Sequence, residues 1–519
     1  MNLAGIKGKV VARGDEEYEE SAYQYAFSSH EELVQPAAII YAQDDDDVIY
    51  AIKMARENNF SLAVRTGGHQ YSAASSTFGN NIQLDLSRTY TDFNWEDADH
   101  TVLTLGVSIP LGKFQSKIMK KGRFVPTGQC SYVNLGGHVQ SGGYGQLIRS
   151  FGLLADHVLK VRIITADGQA RWVDRSIPAD KPLLYAILGG SPGNFGVLTD
   201  VTLKLLRDED HDKSRGFRAM IPYSKDALKN LLDVMVKQDL TDDTAADYDF
   251  CVTVMGGRKA ENKPAAIVVF AQALGGKSKM TPYDGVYVDD EPVKISELCS
   301  HWLFPISREF QLPYYKCTYM SNSRASELQS KDWTEWVTER MDDLESKSEE
   351  HQTFLSAQFQ YAGGKHSTYR TEGAKNITSL SWRDSTFGCS LDAFYNGEGL
   401  PKARAKAWTE KNTADGVGHA NAVFSAQDRR LLWGSFDTNL PDQRTKYYDQ
   451  APGKYDTLSK LKVDIDPHFV FTPNTFSVGP IPDRIRNKEP HGHIAIFDHA
   501  VKHARDVLAC KKGPLCLEE

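Results

Sequence analysis

The chain is 519 residues long with a formal net charge of −8, and 41% of it is hydrophobic and 25% charged. One hydrophobic core rarely organises so many residues, so two or three domains of ordinary globular composition are expected. The charge balance argues against nucleic acid as a partner. The longest apolar run, Ala265 to Leu274, falls far short of the ~20 residues that cross a bilayer, which argues against a membrane.

The start, Met1 to Lys9, lacks the apolar stretch and small-residue cleavage site of a secretory leader. An intracellular protein is therefore expected, with secretion left open. The seven cysteines, at 130, 251, 299, 317, 389, 510 and 516, are scattered too widely for a disulfide framework or a zinc site. Only Cys510 and Cys516 are near neighbours, and their pairing stays open.

In chain order, Ala37 to Val64 reads as strand, helix, strand. Asp44 to Asp47 cap and charge the helix start, Val48, Ile49, Ile52 and Ala55 recur on one face, and Asn58-Asn59 end it. Strand patterns follow at Ile82 to Leu86 and Val102 to Val107, then a helix from Ile109 to Lys121 and a glycine-rich stretch over 126–145. Val158 to Thr165 runs into an Asp167-Gly168 hairpin turn. A second glycine-rich turn, Leu188 to Gly196, opens the strand Val197 to Leu205. Beyond the charged linker Arg207 to Arg215 come a helix, Lys225 to Gln238, and strands at Phe250 to Met255, Ala265 to Leu274, Phe354 to Tyr361 and Thr386 to Tyr395. A helix at Tyr455 to Asp464 stops at Asp466-Pro467, and an amphipathic helix, Ile494 to Ala509, closes the chain.

Two segments carry chemistry. In Arg65-Thr66-Gly67-Gly68-His69-Gln70-Tyr71-Ser72, adjacent glycines let the backbone turn tightly and offer N–H groups to an anion. The arginine and hydroxyls add charge and donors suited to a diphosphate. Between Gly128 and Gly145, six glycines fall within eighteen residues. Such density costs entropy unless a flat or charged ligand lies against the main chain, and the interleaved Val133, Leu135 and Val139 indicate that the stretch is buried.

Together these segments resemble the vanillyl-alcohol oxidase superfamily of PCMH-type FAD-binding proteins, and within it the berberine-bridge-enzyme-like branch of bicovalent flavoproteins. The R-x-G-G-H-x-Y-S-like segment implies FAD contacts at Arg65, Thr66, Gly67, Gly68, Gln70, Tyr71 and Ser72, with an 8α-histidyl bond from His69. The G-x-C-x-x-V-x-x-G-G-H segment implies a 6-S-cysteinyl bond from Cys130, with contacts at Gly128, Asn134, Gly137 and His138, and further along at Gly142, Gly143 and Gly145. Gly189 to Thr199 matches G-G-x-x-G-N-F-G-V-x-T and adds Asn194, Gly196 and Val197. Asp466 to Asn474 matches D-P-x-x-x-F-x-x-N and adds Asn474. The implied fold is α+β. An FAD-binding domain of two α/β subdomains takes residues 1–205 and 440–519, and a substrate domain with an antiparallel sheet covered by helices takes 206–439.

The resemblance implies hydride transfer from a bulky organic substrate to FAD, then reoxidation by dioxygen to hydrogen peroxide. Alkaloids, terpenoids or polyketides are favoured over oligosaccharides by the missing leader. Val133 matches the position that gates dioxygen in this branch, and its small side chain resembles the oxidases. Many relatives draw their base from a Y-x-N-Y-x-D segment. Here Leu432 to Asp437 lacks its tyrosine and asparagine, leaving Ser435 and Asp437 as the nearest counterparts. Asp392 is the alternative acid–base group, although a one-residue slip would turn it away from the flavin; Tyr361, His366, Arg383 and Tyr395 are rivals to it. No metal is expected from His491, His493, His499 and His503, which lack a completing ligand set. A monomer or weak oligomer is expected. The competing readings are a dehydrogenase using another electron acceptor and a catalytically silent flavin-binding protein.

Overall fold

The computed structural model describes residues 3–25, 34–70, 74–190, 192–241, 248–258, 262–273, 292–303, 312–321, 324–416, 423, 447–448 and 453–486. The first sheet contains β1 (Lys9–Ala12), β2 (Ala38–Tyr41), β3 (Leu62–Arg65) and β4 (Ile82–Asp85), in the order β1-β2-β4-β3. β2 and β3 both run parallel to β4, which lies between them. The crossover is the helix Asp45–Glu57, capped by the Asp44 carboxylate, which accepts from the Asp47 N–H at 3.1 Å. Val48, Ala51, Ile52 and Ala55 share a core with Ile40, Leu62 and Leu84, as the apolar spacing requires.

A second, antiparallel sheet comprises β5 (Phe93–Trp95), β6 (Val102–Gly106), β8 (Val158–Ile164), β9 (Ala170–Asp174) and β10 (Val197–Lys204), ordered β5-β6-β10-β8-β9. β7 (Arg123–Phe124) and β11 (Leu206–Arg207) pair as a short ribbon.

The third sheet is larger and fully antiparallel. It comprises β12 (Arg215–Pro222), β13 (Tyr248–Met255), β14 (Ala266–Ala273), β15 (Tyr314–Ser321), β16 (Thr353–Tyr361) and β17 (Phe387–Tyr395), ordered β12-β14-β13-β16-β17-β15. On its rear face Val252, Val269, Phe359 and Cys389 pack with Leu228 and Leu232 of the helix Lys225–Thr241 and Val337 and Met341 of the helix Trp333–Glu345. With one face given to this core, strand alternation turns every second residue toward the other.

Residues 453–486 return to the first two sheets. Leu458, Phe476 and Val478 join the core of Leu184, Val201 and Leu203. Lys462 and Asp466, at the end of the helix Lys454–Ile465, form a buried ion pair at 2.7 Å. The Lys462 Nζ also donates to the carbonyls of Asn194 (2.5 Å) and Phe471 (2.9 Å). The expected helix Ile494 to Ala509, Cys510, Cys516 and the four terminal histidines lie outside the described residues. Among the described residues, no helix is long and apolar enough to cross a membrane, and no group of three or more His, Cys, Asp or Glu is placed to hold a metal.

Candidate functional site

A cleft with about 1430 Å³ of open space runs between the two glycine-rich segments and the front face of the third sheet. One wall is the turn that follows β3. Gly68 sits at φ +67°, a left-handed conformation that glycine adopts without penalty, and a Cβ there would come within 3.1 Å of the Tyr25 nitrogen. The turn presents Thr66, Gly67, Gly68, His69 and Gln70 to the cleft.

The His69 ring stacks on Tyr25, with centroids 4.0 Å apart and planes 26° from parallel. Burial pushes its pKa down to about 3; a backbone hydrogen bond at Tyr132 opposes the shift and His138 adds to it. The imidazole is therefore neutral at physiological pH, and its enclosed Nε2 has no hydrogen-bond partner.

Arg65 does not face this cleft. Its Nε bonds the Asp85 carboxylate, Nη1 donates to the Tyr23 carbonyl (2.7 Å) and Nη2 to the Ser21 carbonyl (2.8 Å). The expected diphosphate clamp is instead a brace between β3, β4 and residues 21–23, because Arg65 and Asp85 are register partners. Tyr71 and Ser72 lie outside the described residues.

The second wall carries Cys130, half-buried and outside any disulfide. The Cys130 carbonyl accepts from the Val133 N–H at 3.2 Å, which sets Val133 beside it on the cleft. The chain then enters the helix Leu135–Gln140, which brings Asn134, Gly137 and His138 to the lining. His138 Nε2 accepts from the Gly128 N–H at 2.8 Å, and burial pushes its pKa down to about 4, so it too is neutral. A Cβ on Gly137 would meet only the Pro192 Cγ, at 3.9 Å. Its missing side chain leaves room on the cleft side. Gly145 also lines the cleft, but its closeness serves the wall itself, since a Cβ would overlap the Thr127 carbonyl oxygen at 1.8 Å.

Several motif residues serve packing away from the cleft. Gly142 and Gly143 have positive φ and leave no room for a Cβ beside Leu380 and Leu154. Asn194 donates to the Gly190 carbonyl (2.6 Å) and accepts from the Val478 N–H (3.0 Å), binding the glycine turn to the returning segment. Gly196 passes close to the Ile164 carbonyl, and Val197 starts β10 in the core. Asn474 donates to the carbonyls of Ala74 (2.9 Å) and Ser76 (3.3 Å).

The floor is the front face of the third sheet. Thr253, Lys316, Ser356, Gln358, Ser390 and Asp392 line it from four strands. Register puts Lys316 and Ser356 on either side of Asp392, so the alternation left open by sequence turns Asp392 toward the cleft. Lys316 Nζ donates to Asp392 Oδ2 at 2.5 Å and to Ser390 Oγ at 3.1 Å, and Ser390 Oγ donates to Asp392 Oδ1 at 2.9 Å. Gln129 Nε2 donates to Gln358 Oε1 at 3.2 Å, joining the floor to the Cys130 wall. Lys316, Ser356, Gln358 and Ser390 escaped the sequence reading; alternating polarity in otherwise apolar strands was the available signal.

The rivals to Asp392 lie elsewhere. Tyr361 and Tyr395 are in the rear core, His366 is exposed, and Arg383 pairs with Asp156 through both carboxylate oxygens at 2.9 and 2.8 Å. Ser435 and Asp437 lie outside the described residues. A neutral imidazole with an unpartnered Nε2, a nearby half-buried thiol and a glycine that leaves the wall open suit a large planar ring with polar substituents. These residues fit a flavin.

Residues 36–174 match the family described as FAD binding domain. An uncharacterized FAD-linked oxidoreductase of Bacillus subtilis (strain 168) is 34% identical over 209 residues, 40% of this chain and 45% of the relative. A berberine bridge enzyme-like protein of Arabidopsis thaliana is 37% identical over 183 residues, 34% of this chain and 33% of the relative. An FAD-linked oxidoreductase of Dictyostelium discoideum is 26% identical over 310 residues, 60% of this chain and 61% of the relative. The matches thus span between a third and three-fifths of these relatives' length. Among solved structures, chitooligosaccharide oxidase superposes with a TM-score of 0.71 at 17% identity, covering 92% of this chain and 98% of that one. Berberine bridge enzyme from Eschscholzia californica gives 0.69 at 18% identity, covering 92% and 97%.

The fold is the α+β fold of PCMH-type FAD-binding proteins. Over its matched segments the chain is similar to FAD-linked oxidoreductases and berberine-bridge-enzyme-like proteins.

Proposed function

We propose that this protein is an FAD-dependent oxidase of a bulky, hydroxyl-bearing organic substrate, with its flavin held covalently through His69 and Cys130. The observation that carries the proposal is that His69, Cys130 and a hydrogen-bonding sheet floor line one cleft. When bound, FAD supplies a two-electron acceptor for a substrate hydride and a route for those electrons to dioxygen, yielding hydrogen peroxide. Thr66, Gly67, Gly68, Gln70, Asn134, Gly137 and His138 would hold it along the two glycine-rich walls.

At the floor, Asp392 Oδ1 is the proposed acceptor for a substrate hydroxyl proton, exchanging its bond from Ser390 for one from substrate. Lys316 on Oδ2 fixes the carboxylate and offsets its charge. The hydroxyls and amide of Thr253, Ser356 and Gln358 favour a hydroxylated substrate, an oligosaccharide or an oxygenated secondary metabolite, over a purely apolar one, since unpaired polar groups against an apolar ligand cost about 1–3 kcal/mol each. Val133 beside Cys130 would control dioxygen entry. The accompanying division is a flavin domain from 1–205 and 440–519 around a substrate domain, 206–439.

Acid precipitation tests the tether. The expected result is a yellow pellet from native protein and from Cys130→Ala, the latter with a changed absorption spectrum. A colourless native pellet defeats the covalent reading, and identical spectra defeat the sulfur bond. Anaerobic bleaching by hydroxylated substrates, reversed by air, tests the oxidase reading.

A further inference from the structure

We propose that Tyr25 is a positioning residue for the His69 tether, holding the imidazole face-on so that one ring nitrogen meets the flavin 8α-carbon; this rests on the covalent reading above. The grounds are the fastening of residues 21–25 beside the His69 turn. Arg65, withdrawn from the cleft, grips the Ser21 and Tyr23 carbonyls. Gln24 donates to Gln83 Oε1 on β4 (2.9 Å) and accepts from Ser75 Oγ (2.9 Å), pinning the segment from two sides. Gly68 lets the backbone at Tyr25 approach, since any Cβ would crowd its nitrogen at 3.1 Å.

These contacts deliver Tyr25 onto the His69 ring at 4.0 Å, while Tyr132, two residues past Cys130, lies 5.6 Å from Tyr25 at 31°. The Tyr25 ring therefore bridges the histidine and cysteine strips. An imidazole free to rotate about its side-chain bonds would present its nitrogens in many directions; the backbone hydrogen bond at Tyr132 restrains one edge of the ring, and the stack fixes its plane.

Bond formation joins an imidazole nitrogen to the methyl carbon. The imidazole loses one proton, and the methyl carbon loses hydrogen and two electrons that enter the ring system. Dioxygen then takes two electrons and two protons, leaving hydrogen peroxide and the oxidised, tethered flavin. Tyr25 takes no proton or electron in this sequence; it sets direction alone, so an aromatic replacement suffices.

The test uses the Cys130→Ala background, where His69 is the one remaining anchor. Each protein is loaded with FAD, its bound flavin is measured, and the acid pellet is measured again. Cys130→Ala and Tyr25→Phe/Cys130→Ala are expected to keep their flavin in the pellet. Tyr25→Leu/Cys130→Ala is expected to bind FAD before acid and retain about tenfold less after it. With Cys130 intact, Tyr25→Leu is expected to carry most of its flavin on the Cys130 peptide without a bond to His69, by mass spectrometry.

Equal retention in the Leu and Phe variants overturns the proposal. So does loss of FAD binding before acid in the Leu variant, which would make Tyr25 a folding residue. A Cys130→Ala protein that itself releases flavin defeats the covalent reading instead, so the two failures are told apart.

Discussion

Burial sets the chemistry of the individual side chains lining the cleft. His69 and His138 are pushed to about 3 and about 4, so neither brings positive charge, and Lys316 is the cation on the floor beside Asp392. Asp392→Asn would keep the size and the Ser390 contact but remove the basic oxygen pair. It is expected to lower the rate of flavin reduction by about 10²–10⁴-fold while leaving flavin content unchanged; stopped-flow reduction under nitrogen measures this, and an unchanged rate removes Asp392 from the mechanism. That His69 and Cys130 line one cleft was legible in sequence because their flanking glycines are local. Arg65 misled because its partner, Asp85, is twenty residues away and meets it only through the parallel β3–β4 register. Lys316 was hidden for the same reason: its importance depends on pairing β15 with β17.

At the level of elements, the interior strands and most helices follow from apolar period and caps, whereas the edges do not. β12 exposes alternate residues, Met220 among them, and among the described residues has a neighbouring strand on one side only. An edge strand needs little apolar sequence of its own, so it leaves a weak signature. The helix Leu135–Gln140 is the reverse case, a poor helical sequence with two glycines, held by its place in the wall. Replacing a helical glycine with alanine ordinarily adds up to about 1 kcal/mol of stability. Gly137→Ala is therefore expected to melt no lower than the native apoprotein, yet to bind FAD more weakly because its methyl enters the cleft. Thermal unfolding together with flavin titration checks this, and undiminished affinity would remove Gly137 from the flavin site.

The whole molecule is closed by polar contacts between its parts. Asp249 on β13 accepts from the backbone N–H groups of Arg149 (2.9 Å) and Ser150 (3.2 Å), and Gln272 donates to its other oxygen at 2.5 Å. Burial raises its pKa from 3.8 to about 6 despite these donors. The folded state thus holds this proton more tightly than the unfolded one. Its stabilising contribution is complete below pH 3.8 and is lost as pH rises through about 6, a change of about 3 kcal/mol. Asp249→Asn, with Gln272 able to turn its unpartnered Oε1 toward the new amide, abolishes that titration. Its stability relative to native protein is expected to improve from pH 4 to 6 and level off above; a pH-independent difference in denaturant unfolding would show that Asp249 does not titrate there.

One consequence follows from the returning segment 453–486. Lys462 reaches the Asn194 carbonyl across 268 positions of sequence, and Asn474 reaches the Ala74 carbonyl across 400. A ribosome delivers the cofactor walls long before it delivers the residues that brace them, and contacts this distant form slowly. Until residues 453–486 emerge, the nascent walls lack the bracing that this segment gives them. Flavin loading is accordingly expected to wait for residues 453–486, making cofactor supply a condition for maturation instead of for synthesis of the walls.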